Sequence, residues 1–119
     1  MVKIGTDIVE ISRIAKNMEN DAFFHRIYTE QERRYILSKG NGAKFTAAGI
    51  FCAKEAVAKA AGSGITTNLS WKDIEIFHNK DGTPQVRFPE RMRSNVSISI
   101  SHCREYATAV AVWSDAYEN

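Results

Sequence analysis

Cysteine and proline are scarce in this chain, no long apolar run crosses it, and neither sign of charge dominates. The two cysteines, Cys52 and Cys103, lie far apart, with no metal-ligand spacing and no disulfide framework. A reducing cytoplasm is the simplest setting for them. No apolar stretch approaches the ~18 residues that a membrane span needs, and the N-terminus has no signal-peptide h-region. No basic run carries interleaved aromatics, so nucleic acid is not the expected partner. Repeats, low-complexity tracts and linkers are also missing. What remains is 119 residues with 44% hydrophobic and 25% charged content, the proportions of one ordinary globular domain. A chain of that length buries between about 60% and 70% of its unfolded surface.

The net charge of +2 is unevenly placed. Between Arg13 and Lys44 stand seven basic residues (Arg13, Lys16, Arg26, Arg33, Arg34, Lys39, Lys44) against four acidic ones (Glu19, Asp21, Glu30, Glu32). Such an excess is either a solvated helix face or a surface that steers an acidic protein partner.

The pattern of residues predicts helices first and strands afterwards. Val2 to Ile11 reads as a β-rich strand. Asp7 is out of place there: either the strand breaks near Gly5, or Asp7 is a functional carboxylate. Ser12 is the expected N-cap of a helix over 13–18, and Asp21 that of a short helix holding Phe23, Phe24, Ile27 and Tyr28. Thr29-Glu30-Gln31-Glu32 has the form of a capping box opening a helix that ends at Gly40. A long central helix follows over about 44–61, closed by Gly62, and Gly62-Ser63-Gly64 forms a loop whose N–H groups could approach a phosphate. After it the periodicity changes from 3.6 to 2. Strands are predicted over 71–77 and 85–88 around an Asn79–Gly82 turn, the second limited by Pro84 and Pro89, then over 96–101 and 106–113. In the last strand Ala107, Ala109 and Ala111 allow close packing of a helix or another subunit. The expected fold is α+β, an N-terminal strand and helices packed on a mainly antiparallel sheet, in a single domain over 1–119.

The central stretch Phe51-Cys52-Ala53-Lys54-Glu55-Ala56-Val57-Ala58-Lys59 carries the main chemical question. Ala48, Phe51, Cys52 and Ala58 surround Glu55 at helical spacing, which puts Glu55 on or beside the buried side of its helix. A carboxylate there needs a partner. Either Glu55 and Lys59 make an exposed pair worth roughly 0.2–0.5 kcal/mol, or Glu55 holds a hard cation and Lys59 an anionic oxygen. Of the histidines, His25 and His78 read as surface residues. Ser101-His102 ends the alternating strand and either binds an anion or turns the chain.

Gly5-Thr6-Asp7-Ile8-Val9-Glu10-Ile11 with Arg13, Thr29-x-x-Glu32, and Phe51-Cys52-Ala53-Lys54-Glu55-Ala56 with Lys59 and Gly62-x-Gly64 together resemble the holo-acyl-carrier-protein synthases. So do Trp71-x-Asp73-Ile74-Glu75, Gly82-x-Pro84 and Ser97-Ile98-Ser99-Ile100-Ser101-His102 with Ala107 and Ala109. These are the short, bacterial type of 4′-phosphopantetheinyl transferase, and the likeness runs in order along nearly the whole chain.

The resemblance implies an enzyme that moves the 4′-phosphopantetheine arm of coenzyme A to a serine of apo acyl carrier protein in fatty acid biosynthesis. Adenosine 3′,5′-bisphosphate is left. It implies Mg²⁺ held by Asp7 and Glu55, and Lys59 meeting a phosphate oxygen or the departing charge. A metal-bound water or one of the carboxylates would take the serine proton. Gly62, Gly82, Pro84, Ser101 and His102, together with Lys59, fall at coenzyme A contacts. Arg13 and Arg26 match basic positions that meet the acidic carrier protein. A homotrimer with active sites between subunits is implied, as are a cytoplasmic location and no membrane or nucleic-acid partner. Two departures stand out. Ile50 replaces an arginine often found before the phenylalanine of the central motif, leaving Lys44 or Lys54 to meet a coenzyme A phosphate. The segment after Pro89 is short, with Glu90 to Ser94 as a loop. Two other readings stay open: a binding module without turnover, and a metal-dependent phosphohydrolase that needs no protein acceptor.

Overall fold

The computed structural model describes residues 2–62, 64, 69–88 and 94–115. Nine residues of continuous strand open the chain, β1 (Val2–Glu10), so Asp7 lies inside a ladder and not at a break. Three short helices follow, α1 (Ile11–Asn17), α2 (Asp21–Ile27) and α3 (Glu30–Leu37), then a 3₁₀ turn at Gly40–Gly42 and the long helix α4 (Ala43–Ala60). A second 3₁₀ turn (Trp71–Asp73) leads into β2 (Glu75–His78), β3 (Pro84–Arg87), β4 (Ser94–His102) and β5 (Tyr106–Asp115). Of the predicted 90–94 loop only Ser94 is described, and it begins β4; Pro89 and Ser63 lie outside the described residues.

The local signals explain most boundaries. Thr29 and Glu32 form the expected capping box, each side chain satisfying a backbone N–H of the other's segment. Two expected caps are corrected. Ser12 lies inside α1, whose N-cap Glu10 makes no side-chain bond. Asn20, not Asp21, caps α2 by accepting from the N–H of Phe23. The strand expected over 71–77 begins only at Glu75, because Ser70 and Asp73 close a capping box around a 3₁₀ turn first.

Antiparallel pairing gives one sheet in the order β1-β5-β4 and a separate β2-β3 hairpin. The α+β class holds. In the larger sheet Gly5 faces Ala111 and Asp7 faces Ala109 across β1 and β5, while Ile98 and Ile100 face the same two alanines from β4. The sheet's inner face packs on α4, which touches α1, α3 and β2 as well. Small residues make this approach possible. A Cβ on Gly5 would stand 2.6 Å from the Ala60 nitrogen and closer still to the Ala56 carbonyl oxygen, so no side chain fits there. Ala107, Ala109 and Ala111 are buried against α4, which settles their predicted packing in favour of a helix. β1 is thereby pressed directly onto the last turns of α4.

Candidate active site

That pressure brings distant residues together. Between Ala47 and Ala60 only Phe51, Glu55 and Lys59 of α4 reach solvent, one per turn. Glu55 is half-buried on this open stripe, beside the core side of the helix and not on it. This arises because α4 lies between a sheet and helices and buries nearly its whole circumference, leaving one strip open. Gly5 sets the strand against this strip, and Asp7, two residues on, turns its side chain into the same place. The Lys59 ammonium donates to Asp7 Oδ1 at 3.2 Å and to the Thr6 carbonyl at 3.0 Å. The expected alternative, an ion pair between Glu55 and Lys59, does not form: Lys59 turns to β1 instead. Thr108 donates to the Asp7 carbonyl at 2.8 Å and fixes the strand from the other side.

Among the described residues Glu55 has no hydrogen-bond or ion-pair partner. Burial first, then the negative charge of Asp7, pushes its carboxyl above the usual carboxylate range, with Lys59 pulling the other way. One turn back, Cys52 donates to the Ala107 carbonyl at 3.3 Å. Its thiol is pushed up to about 12 by burial and by Asp7, so it stays protonated and is no nucleophile. The site is therefore two like charges drawn together beside one cation. Among the described residues no cluster of three His, Cys, Asp or Glu side chains could hold a metal alone. A pair of carboxylates suits an ion that keeps waters and shares substrate oxygens, as Mg²⁺ does, better than one held by a complete protein cage.

The remaining residues singled out in the sequence separate into groups. Gly82, Pro84 and His102 line one cavity of about 260 Å³, with Tyr35, Phe45 and His78 among its walls. Ser101 and His102 also line a shallower hollow of about 430 Å³ on the outer sheet face, beside Ile8, Tyr106 and Thr108. His102 meets the Cys103 carbonyl at 3.3 Å and stacks on Phe45 at 5.1 Å, so it is not paired with Ser101 as a base. Gly62 follows α4 with φ +98, the left-handed close the sequence predicts. Arg13 and Arg26 are exposed on α1 and α2 and line neither of these two cavities.

Two sequence expectations fail here. His78 is not a surface residue: it is half-buried and stacked on Tyr35 at 4.3 Å. Lys54 cannot meet a phosphate, because it is fully buried and paired with Glu32 at 2.6 Å. The signal for Lys54 was present, since Ile50, Phe51, Val57 and Ala58 flank it at spacings of three and four.

Known proteins resemble this chain over nearly its whole length. A family model described as the 4′-phosphopantetheinyl transferase superfamily matches residues 3–111. A holo-[acyl-carrier-protein] synthase of Chlamydia pneumoniae is 44% identical over 119 residues, covering 94% of this chain and 96% of its own. One from Chlamydia caviae is 50% identical over 116 residues, covering 92% and 93%. Among solved structures, a holo-(acyl-carrier-protein) synthase from Bacillus anthracis in complex with CoA (3′,5′-ADP) superposes with a TM-score of 0.86 at 39% identity, over 95% of this chain and 96% of that one. The Helicobacter pylori synthase in complex with coenzyme A gives 0.83 at 35% identity, over 93% and 99%.

Proposed function

The chain belongs to the 4′-phosphopantetheinyl transferase superfamily, and from that premise we infer that it transfers the 4′-phosphopantetheine arm of coenzyme A to a serine hydroxyl of apo acyl carrier protein. The products are holo carrier protein and adenosine 3′,5′-bisphosphate. The observation that carries this reading for these residues is the convergence of Asp7 on Glu55 and Lys59 at the open strip of α4. Phosphoryl transfer asks a protein chiefly for positioning and for charge that offsets the developing negative oxygens.

Asp7 and Glu55 would hold Mg²⁺. Their juxtaposition raises the cost of ionising Glu55, and a shared divalent cation removes that cost. When bound, the ion supplies positive charge at the diphosphate and helps orient it. The chain's own part is to fix the carboxylates: Asp7 through the β1–β5 ladder and Lys59, Glu55 through α4. Lys59, half-exposed, reaches outward to a phosphate oxygen or the leaving group. Gly82, Pro84 and His102 contact the nucleotide, Ser101 and Gly62 other parts of coenzyme A, and exposed Arg13 and Arg26 the acidic carrier.

Incubation with coenzyme A, Mg²⁺ and apo carrier protein is expected to raise the carrier's mass by one phosphopantetheine, and EDTA to abolish the gain. Bound coenzyme A with an unmodified carrier, or released phosphopantetheine without a modified carrier, would falsify the transferase reading.

The active form is proposed to be a homotrimer with sites between subunits. In its support, the outer sheet face leaves Val2, Ile4, Ile8, Val110 and Val112 exposed, and Ile4 and Val112 lie opposite each other in the ladder. Apolar surface of this kind marks a contact face, and Ser101 borders it. Light scattering is expected to return three times the 13.4 kDa chain mass; a stable, active monomer would overturn the assembly. Among the described residues no helix is long and apolar enough to cross a membrane. The reading sets the enzyme in cytoplasmic fatty acid biosynthesis, where the free Cys52 and Cys103 thiols stay reduced; recovery with the membrane fraction would contradict that location.

A further inference from the structure

Asp7 lies on an edge strand. In the order β1-β5-β4, β1 has β5 as its one hydrogen-bonded neighbour among the described residues, so the ladder holds Asp7 from a single side. An edge strand leaves a row of its backbone groups without a ladder partner. A carboxylate that serves a metal must nevertheless keep its direction, and neighbouring hydrogen bonds are what fix it.

Two side chains supply what the ladder leaves out. The Lys59 ammonium donates to the Thr6 carbonyl at 3.0 Å, and the Thr108 hydroxyl donates to the Asp7 carbonyl at 2.8 Å. The peptide units on both sides of the Asp7 Cα are therefore tied by a side chain, one from α4 and one from β5. Lys59 has further tasks, because it also donates to Asp7 Oδ1 and is half-exposed toward substrate. Thr108 donates only to the backbone of Asp7 among the described residues.

The face on which it stands gives that hydroxyl no other reason to be there. Ala107, Ala109 and Ala111 are buried toward α4, so Thr108, Val110 and Val112 point outward. Ile8 lies opposite Thr108 on β1, as Ile4 lies opposite Val112. The two outward positions that follow on β5 are valines, the residue a strand favours, so neither pairing nor packing calls for a donor at 108. Threonine is stiff at χ1, and aiming its hydroxyl at the next strand costs little side-chain freedom.

We propose that Thr108 is a positioning residue for the metal carboxylate: its bond to the Asp7 carbonyl fixes the strand edge and so holds the Asp7 side chain toward Glu55. The role rests on the reading that Asp7 and Glu55 hold Mg²⁺, and it acts through Asp7 alone. Where Lys59 turns to a phosphate, the Thr108 bond is the side-chain tie that Asp7 keeps.

The test is calorimetric titration of the whole protein with Mg²⁺ alone, for the parent chain, Thr108→Val, Thr108→Ser and Asp7→Asn. Valine keeps the branched shape and removes the donor, whereas serine keeps the donor and removes a methyl. Thr108→Val is expected to weaken Mg²⁺ binding about 3- to 10-fold, the net worth of one hydrogen bond. Thr108→Ser should stay within about twofold of the parent. A threonine with a merely structural role would move the urea midpoint and leave the Mg²⁺ affinity alone. Thr108 stands on the face proposed to meet other subunits, so light scattering accompanies each titration. Parent-like affinity in Thr108→Val, an equal loss in the valine and serine variants, or a loss that comes only with a changed oligomeric mass would overturn the assignment. If Asp7→Asn weakens Mg²⁺ and Thr108→Val does not, the positioning role fails alone. If Asp7→Asn binds Mg²⁺ as the parent does, the metal reading fails and the positioning role with it.

Discussion

Replacing Lys54 with methionine is expected to destabilise the protein by about 3–5 kcal/mol, the usual cost of leaving one member of a buried ion pair alone. Lys54 and Glu32 are both fully buried, 2.6 Å apart, with every donor and acceptor around them engaged. The ammonium also donates to the carbonyls of Ile27 and Trp71, each at 2.8 Å. The Glu32 carboxylate also accepts from the N–H groups of Thr29 at 2.8 Å and Ile76 at 2.7 Å. One pair thus ties the end of α2, the cap of α3, the middle of α4, the 3₁₀ turn and β2. Burial alone pushes the Glu32 carboxyl up and the Lys54 ammonium down, and their attraction opposes both shifts. Removing both charges, as in Glu32→Leu with Lys54→Met, is not expected to rescue the fold. Four backbone groups would lose their partners, at about 1–3 kcal/mol for each that stays unsatisfied. Urea unfolding of the two single variants and the double one measures this; a loss below about 1 kcal/mol for Lys54→Met would sink it.

Glu32 also marks how far the sequence could be read. Its capping role with Thr29 is local and was legible three residues away. Its partners Lys54 and Ile76 come from α4 and β2, and nothing in a linear pattern brings them together. Strict alternation identified β4, because a half-buried strand writes its burial as period two. Burial of α4 was misread since alanine fits either a core or a surface, so a helix enclosed on nearly all sides looked like one with a single apolar face. The 3₁₀ turn at Trp71–Asp73 was missed although Ser70-x-x-Asp73 spells a capping box. Asp7 was legible as an anomaly in a strand. That Lys59 would reach it depended on Gly5, whose missing side chain allows β1 to touch α4.

Glu55→Gln and Asp7→Asn are each expected to lower transfer to carrier protein by about 10²- to 10³-fold or more, the range for deleting one well-placed electrostatic group. Amides keep the size of the carboxyl and remove its charge, so either variant should also weaken Mg²⁺ binding in a titration without coenzyme A. The two differ in a second respect. Asp7→Asn turns the 3.2 Å ion pair with Lys59 into a neutral hydrogen bond, whereas Glu55→Gln leaves that ion pair in place. Acidity offers an independent check. The raised Glu55 carboxyl takes up a proton at a higher pH than an ordinary glutamate, so Mg²⁺ binding should fall away early as the pH drops. In the metal-free protein the sign reverses. A folded-state pKa above the unfolded value means that stability falls as pH rises through the interval between them. Adding Mg²⁺, which favours the ionised form, or making Glu55→Gln, which has no proton to lose, should remove that decline. Unchanged transfer and unchanged metal affinity in either amide variant would show that the two carboxylates do not share an ion.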